Sequence, residues 1–122
     1  MDAIKLPDAE LRLMNIIWER EPLPSSELAK LAADALGWKR TTTYTILKRL
    51  SERGAAQNVG AIVTALVPKS AVQRSESREL LEKMYGGSLK AFLVSFLGES
   101  GLSEREADEL KRVIDENTGG GA

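Results

Sequence analysis

The chain has 122 residues, 29% of them charged and 43% hydrophobic, with no cysteine and no histidine. That length suits one modest domain or two small ones and leaves no room for a large enzyme with a separate cofactor lobe. The missing residue types exclude cysteine nucleophiles, Ser–His triads, disulfides and ordinary zinc sites. No cofactor or metal is expected, since any metal would need carboxylates alone. Two Trp, two Tyr and two Phe are too few for a base-stacking platform. The net charge of −1 lacks the basic footprint of a nucleic-acid binder when taken over the whole chain. There is no apolar run of about 18 residues and no basic-then-apolar leader, so a cytoplasmic protein without membrane insertion is expected.

Helical periodicity predicts a first helix from Pro7 to Arg20, with Leu11, Met14, Ile17 and Trp18 on its inner stripe and Arg12, Asn15 and Glu19 outside. Pro7 suits a first turn, and Asp8 and Glu10 favour its positive end. Pro22-Leu23-Pro24 is a rigid link. Ser25 is then the expected N-cap of a second helix that reaches Leu36 and buries Leu28, Leu31, Ala32 and Ala35. Gly37 ends it where a positive φ is cheap. The third helix spans Arg40 to Arg53, turning Ile46, Leu47 and Leu50 inward and Thr41, Thr42, Tyr44, Thr45, Lys48 and Arg49 outward. Two short helices joined by a few residues including glycine form a helix-turn-helix pattern.

Ala55–Val59 and Ala61–Val67 read as a hairpin around Val59-Gly60-Ala61, which completes a winged helix. Beyond it the chain is helical: Ser70 to Tyr85 with Val72, Leu80, Leu81 and Met84; Gly86-Gly87 as a break; and a Ser88-capped helix ended by Gly98 and Gly101. A capping box at Ser103–Glu106 opens a last helix carrying Ala107, Leu110, Val113 and Ile114. Thr118–Ala122 is a Gly-rich tail. The fold class is therefore mainly α with a small β-hairpin, a winged helix over residues 1–69 followed by a helical domain over 70–117. Three short helices cannot enclose a core of their own, and a second copy of the chain is the simplest cover. The candidate dimerisation residues are Leu81, Met84, Leu89, Phe92, Leu93, Phe96, Leu97, Leu110, Val113 and Ile114.

Charge is unevenly placed. Residues 1–69 carry ten basic and eight acidic side chains, and residues 70–122 carry seven and ten. Within Trp38–Arg53, Lys39, Arg40, Lys48, Arg49 and Arg53 oppose only Glu52. Basic side chains there can neutralise phosphates, and threonine can meet phosphates, base edges or a thymine methyl. Thr41–Thr45 holds four threonines in five positions, a run that weakens a helix and so points to another use. Lys39, Arg40, Thr41, Thr42, Tyr44, Thr45, Lys48 and Arg49 are the candidate DNA-binding residues. Trp18 and Trp38 read as core. The carboxylates of the last helices read as solvated or capping, and no pair stands out as an acid–base dyad.

The stretch Thr42-Thr43-Tyr44-Thr45-Ile46-Leu47-Lys48-Arg49-Leu50 with Glu52-Arg53-Gly54 resembles the recognition helix of the penicillinase-repressor family (BlaI, MecI and CopY). Glu10, Met14, Ile17 and Trp18 at their spacing, Tyr85-Gly86-Gly87-Ser88, and Leu102-Ser103 with Glu106 and Leu110 extend the resemblance from Leu6 to Glu116. It implies a homodimeric repressor that binds a palindromic double-stranded DNA operator. Family contacts carry over to Thr41, Thr42, Tyr44, Thr45, Lys48 and Arg49.

In β-lactam-sensing members a membrane sensor-protease pathway cuts the dimerisation region, at a bond resembling Ser95–Phe96. The familiar residue before that Phe is Asn, so Ser95 departs from the pattern. The cysteine cluster of copper-responsive members is missing. The expected wing from Gly60 to Val67 is uncharged, whereas family wings carry basic and aromatic residues. That wing and the overall charge favour a rival reading, a winged-helix protein-interaction module, while the basic third helix opposes it. An enzyme is the weakest reading.

Overall fold

The computed structural model describes residues 5–119. In chain order it contains α1 (Asp8–Arg20), β1 (Leu23–Pro24), α2 (Ser25–Leu36), α3 (Arg40–Arg53), β2 (Ala56–Val59), β3 (Ile62–Ala65), α4 (Lys69–Tyr85), α5 (Leu89–Ser100) and α6 (Glu104–Glu116). The chain divides into two compact units at Glu79/Leu80, inside α4. The expected tail lies partly outside the described residues, at positions 120–122.

In the first unit α1, α2 and α3 pack on one another and on a small antiparallel sheet ordered β1-β3-β2. Leu13, Met14, Ile17, Leu28, Leu50 and Val63 are fully buried at its centre. Each such side chain contributes roughly 1.5–3 kcal/mol through burial. The inner stripe of α1 is rotated from the expected one. Leu13 and Glu10 are buried with Met14 and Ile17, while Leu11 and Trp18 are half-buried at its margin. Trp18 still packs on the core, and its indole N–H donates to the Val67 carbonyl at 2.9 Å.

The link between α1 and α2 contains a strand that periodicity does not show. Leu23 and Pro24 pair with Val63 and Ile62, so the hairpin gains a third strand through a long-range contact. Ser25 is the first residue of α2 rather than its N-cap. Pro24 stands in the flanking position without a side-chain cap, and Ser25 itself is buried. Ala35 is exposed, and the buried stripe of α2 consists of Ser25, Leu28, Ala29 and Ala32. Gly37 adopts φ 70° and closes α2 with its N–H on carbonyls of the last turn. The turn joining β2 to β3 places Gly60 at φ 58° and Ala61 at φ 64°, the two-positive-φ geometry favoured by tight hairpins.

The second unit is helical. Gly86 and Gly87 both take positive φ between α4 and α5. Ser88 caps α5, accepting from the Ala91 N–H at 3.0 Å. Gly98 lies inside α5 rather than ending it, and Gly101 closes the helix. The Ser103–Glu106 capping box is formed in both directions, at 3.1 and 3.2 Å. No residue of α5 or α6 is buried. Tyr85 meets Phe92 edge-on at 5.5 Å, and Phe92 stacks on Phe96 at 5.7 Å.

Two substitutions test this packing by thermal melting. Leu13→Ala should cost about 3 kcal/mol, a fall of roughly 10–20 °C in Tm for a unit of this size. Ala61→Gly should stabilise the turn by about 0.5 kcal/mol, since relief of the left-handed strain slightly outweighs the added freedom of the unfolded chain.

Candidate nucleic-acid interface

α3 is two-faced. Thr43, Ile46, Leu47 and Leu50 are buried, and the opposite face exposes Thr41, Thr42, Thr45, Lys48 and Arg49. The spacings of three, four and seven among these exposed residues put them on one side of the helix. Lys39 precedes the helix in extended conformation and Arg40 opens it. Both are exposed. The first turn of α3 has no acidic residue and no side-chain cap, whereas α1, α2 and α6 each carry acidic residues there. The positive end of the α3 dipole is thus left uncompensated and reinforced by two cations, an arrangement that attracts anions.

The eight residues expected from sequence are brought onto this surface with different degrees of freedom. Thr45 donates its hydroxyl proton to the Thr41 carbonyl at 2.9 Å, so toward a ligand it can only accept or offer its methyl group. Thr43, the remaining threonine of the run, faces the core and is 1% exposed. Tyr44 is half-buried rather than fully outward. Its hydroxyl donates to Ser25 Oγ at 3.3 Å and accepts from Arg40 Nη2 at 3.3 Å. The Arg40 guanidinium also lies 5.2 Å from the ring centroid of Tyr44.

Arg53 is exposed as well, but it is tied to a carboxylate. It donates to both carboxylate oxygens of Glu10, at 2.5 and 3.2 Å. Glu10 is 3% exposed. The hydrogen bond to Glu10 raises the Arg53 pKa above its ordinary value. Glu10, expected to complement the α1 dipole, acts as the buried partner of this pair. Lys39, Arg40, Lys48 and Arg49 are the cations of α3 and its entry that form no ion pair among the described residues.

The hairpin beside α3 is uncharged but not featureless. Gln57 and Asn58 on β2 are exposed amides, overlooked when attention falls on residues 60–67. Val59 and Ile62, paired across the turn, are 65% and 42% exposed. Ser25, buried beneath Tyr44, is the other residue that sequence reasoning missed. Its neighbours Pro24 and Glu27 make it look like an ordinary cap. Among the described residues no group of His, Cys, Asp and Glu side chains is placed to hold a metal ion. Among the described residues no helix is long and apolar enough to cross a membrane.

The family model described as Penicillinase repressor matches residues 6–116. The chain belongs to the penicillinase repressor family. It is 27% identical to the penicillinase repressor of Bacillus licheniformis over 117 residues, covering 93% of this chain and 91% of that protein. It is 24% identical to the methicillin resistance regulatory protein MecI of Staphylococcus aureus strain N315 over 114 residues, covering 90% and 93%. Among solved structures it is similar to the DNA-binding domain of the repressor BlaI, at 27% identity and a TM-score of 0.49, covering 57% of this chain and 90% of that one.

The division of labour between the two kinds of arginine is open to test. Arg53→Ala leaves the buried Glu10 carboxylate without its cation, a strongly destabilising change, and should visibly lower the melting temperature. Arg49→Ala, on the solvated face, should leave it nearly unchanged.

Proposed function

We propose that this protein is a repressor that binds operator DNA as a homodimer through α3. The observation that carries the reading is the composition of one helix face. Lys39, Arg40, Lys48 and Arg49 flank Thr41, Thr42 and Thr45 at an uncapped, acid-free helix start. The cations would hold phosphates and set register, and the threonines would meet base edges in the major groove. Because the Thr45 proton is already spent within the helix, Thr45 would accept from an exocyclic amine or pack its methyl against thymine. Lys48→Ala should weaken binding to every duplex and flatten the logarithmic salt slope by about one unit in gel-shift titrations. An unchanged slope would show that Lys48 touches no phosphate.

The helical unit supplies the second half of the reading. Leu89, Phe96, Leu110, Val113 and Ile114 are exposed on α5 and α6, as is Met84 at the end of α4, while Leu81, Phe92, Leu93 and Leu97 are half-buried. So much apolar surface on short helices calls for cover, and a twofold pairing of identical chains covers it on both copies at once. Two linked reading helices then bind far more tightly than one through effective concentration, and any event that separates the copies relieves repression. Cleavage at Ser95–Phe96 is one such event. That bond lies within α5, so a protease would need the helix locally unwound. Phe96→Asp should yield monomers in sedimentation velocity, and an intact dimer would refute the assigned surface.

A second reading, a winged helix that docks on another protein, draws on the exposed Val59 and Ile62 of the wing. Titration against random duplex at low salt separates the two readings, because only the DNA reading calls for salt-dependent binding.

A further inference from the structure

We infer that Ser25 is a positioning residue that ties the tip of the hairpin to the reading face of α3 and thereby sets how selectively the protein distinguishes its operator from other duplexes. The inference rests on the DNA-binding reading above and goes one step further, to a residue outside the DNA-facing set. Ser25 is 6% exposed. Its backbone N–H donates to the Ala61 carbonyl at 2.8 Å. Its Oγ accepts from the Tyr44 hydroxyl at 3.3 Å, and that hydroxyl accepts in turn from Arg40. One buried residue thus joins the apex of the wing to the first turns of α3.

The arrangement is more specific than packing. The first amide of a helix has no intrahelical acceptor, and here that orphan donor is used to hold the wing. Pairing of Pro24 with Ile62 brings the start of α2 to the hairpin, and Ala61, at positive φ just before β3, accepts from the Ser25 N–H. On the other side, the serine hydroxyl orients the Tyr44 ring on which Arg40 rests. A reader built from a helix and a wing fits only those duplexes whose groove shape matches the spacing of the two parts, and groove shape depends on sequence. Loosening the tie lets the same surface settle on more sequences.

The test compares Ser25→Ala, Tyr44→Phe and the double variant in the full chain, with a duplex from the protein's own promoter and a random duplex of equal length. Each single change should lower the operator-to-random affinity ratio by about 2–10-fold, the range of one net hydrogen bond. The salt slope should stay unchanged in Ser25→Ala, which alters no residue of the DNA-facing set. The double variant should lose no more than the larger single loss, since both changes remove one interaction. Additive losses, or equal weakening toward both duplexes, would overturn the positioning role. Hydrogen exchange on the DNA-free protein gives a separate readout. Exchange of the Ser25 amide should speed up in Tyr44→Phe, and unchanged exchange in that variant overturns the tie whatever the DNA results. If exchange responds but the wild-type protein shows no salt-dependent duplex binding, the DNA reading itself has failed and the selectivity role falls with it.

Discussion

Burial of Thr43, Ile46, Leu47 and Leu50 fixes the rotation of α3 about its axis, and much else in the first unit follows from that rotation. A helix packed on α1 and α2 along one stripe must present the opposite stripe to solvent. There the side chains are threonine, lysine and arginine instead of the leucine and isoleucine of the inner face. The threonine run is tolerable only because packing, rather than propensity, holds the helix in place. Thr43 takes part in that packing, which leaves the other three threonines available on the surface.

The Glu10–Arg53 pair shows how the fold sorts charges that look alike in the chain. Arg53 and Arg49 are one helical turn apart and both exposed, yet one neutralises a buried carboxylate of α1 and the other forms no ion pair among the described residues. With Arg53 held by Glu10, the cations left without a carboxylate partner are Lys39 and Arg40 at the positive end of the α3 dipole and Lys48 and Arg49 further along the helix. Lys5, by contrast, pairs with Glu79 at 2.6 Å on the surface, an exposed contact of the kind that contributes little to stability.

The second unit poses the opposite problem. Its helices are well delimited, by Ser88, by the Ser103–Glu106 box and by Gly101, but they bury none of their own side chains on α5 or α6. Local capping can define where a helix begins and ends without giving it a core. The aromatic contacts among Tyr85, Phe92 and Phe96 organise part of the apolar surface and leave Leu110, Val113 and Ile114 uncovered. A twofold partner would satisfy this surface and double the number of reading helices in one step.

Much of this was legible in the residues alone. The helix-turn-helix, the hairpin and the three later helices follow from apolar periodicity, proline and glycine punctuation and the capping box, all of which act over a few residues. The basic, threonine-rich face of α3 follows from the same periodicity. What local pattern could not supply were contacts between residues distant in the chain: β1 pairing with β3, Glu10 claiming Arg53, and Ser25 buried between Tyr44 and Ala61. Periodicity says which residues share a face, but not which distant partner that face will meet. For this protein the sequence by itself determined the elements and the chemistry of the outer face of α3. Only the tertiary structure decided which of its cations form ion pairs and which residue lies between Tyr44 and Ala61, because burial and long-range hydrogen bonding exist only once the chain has packed.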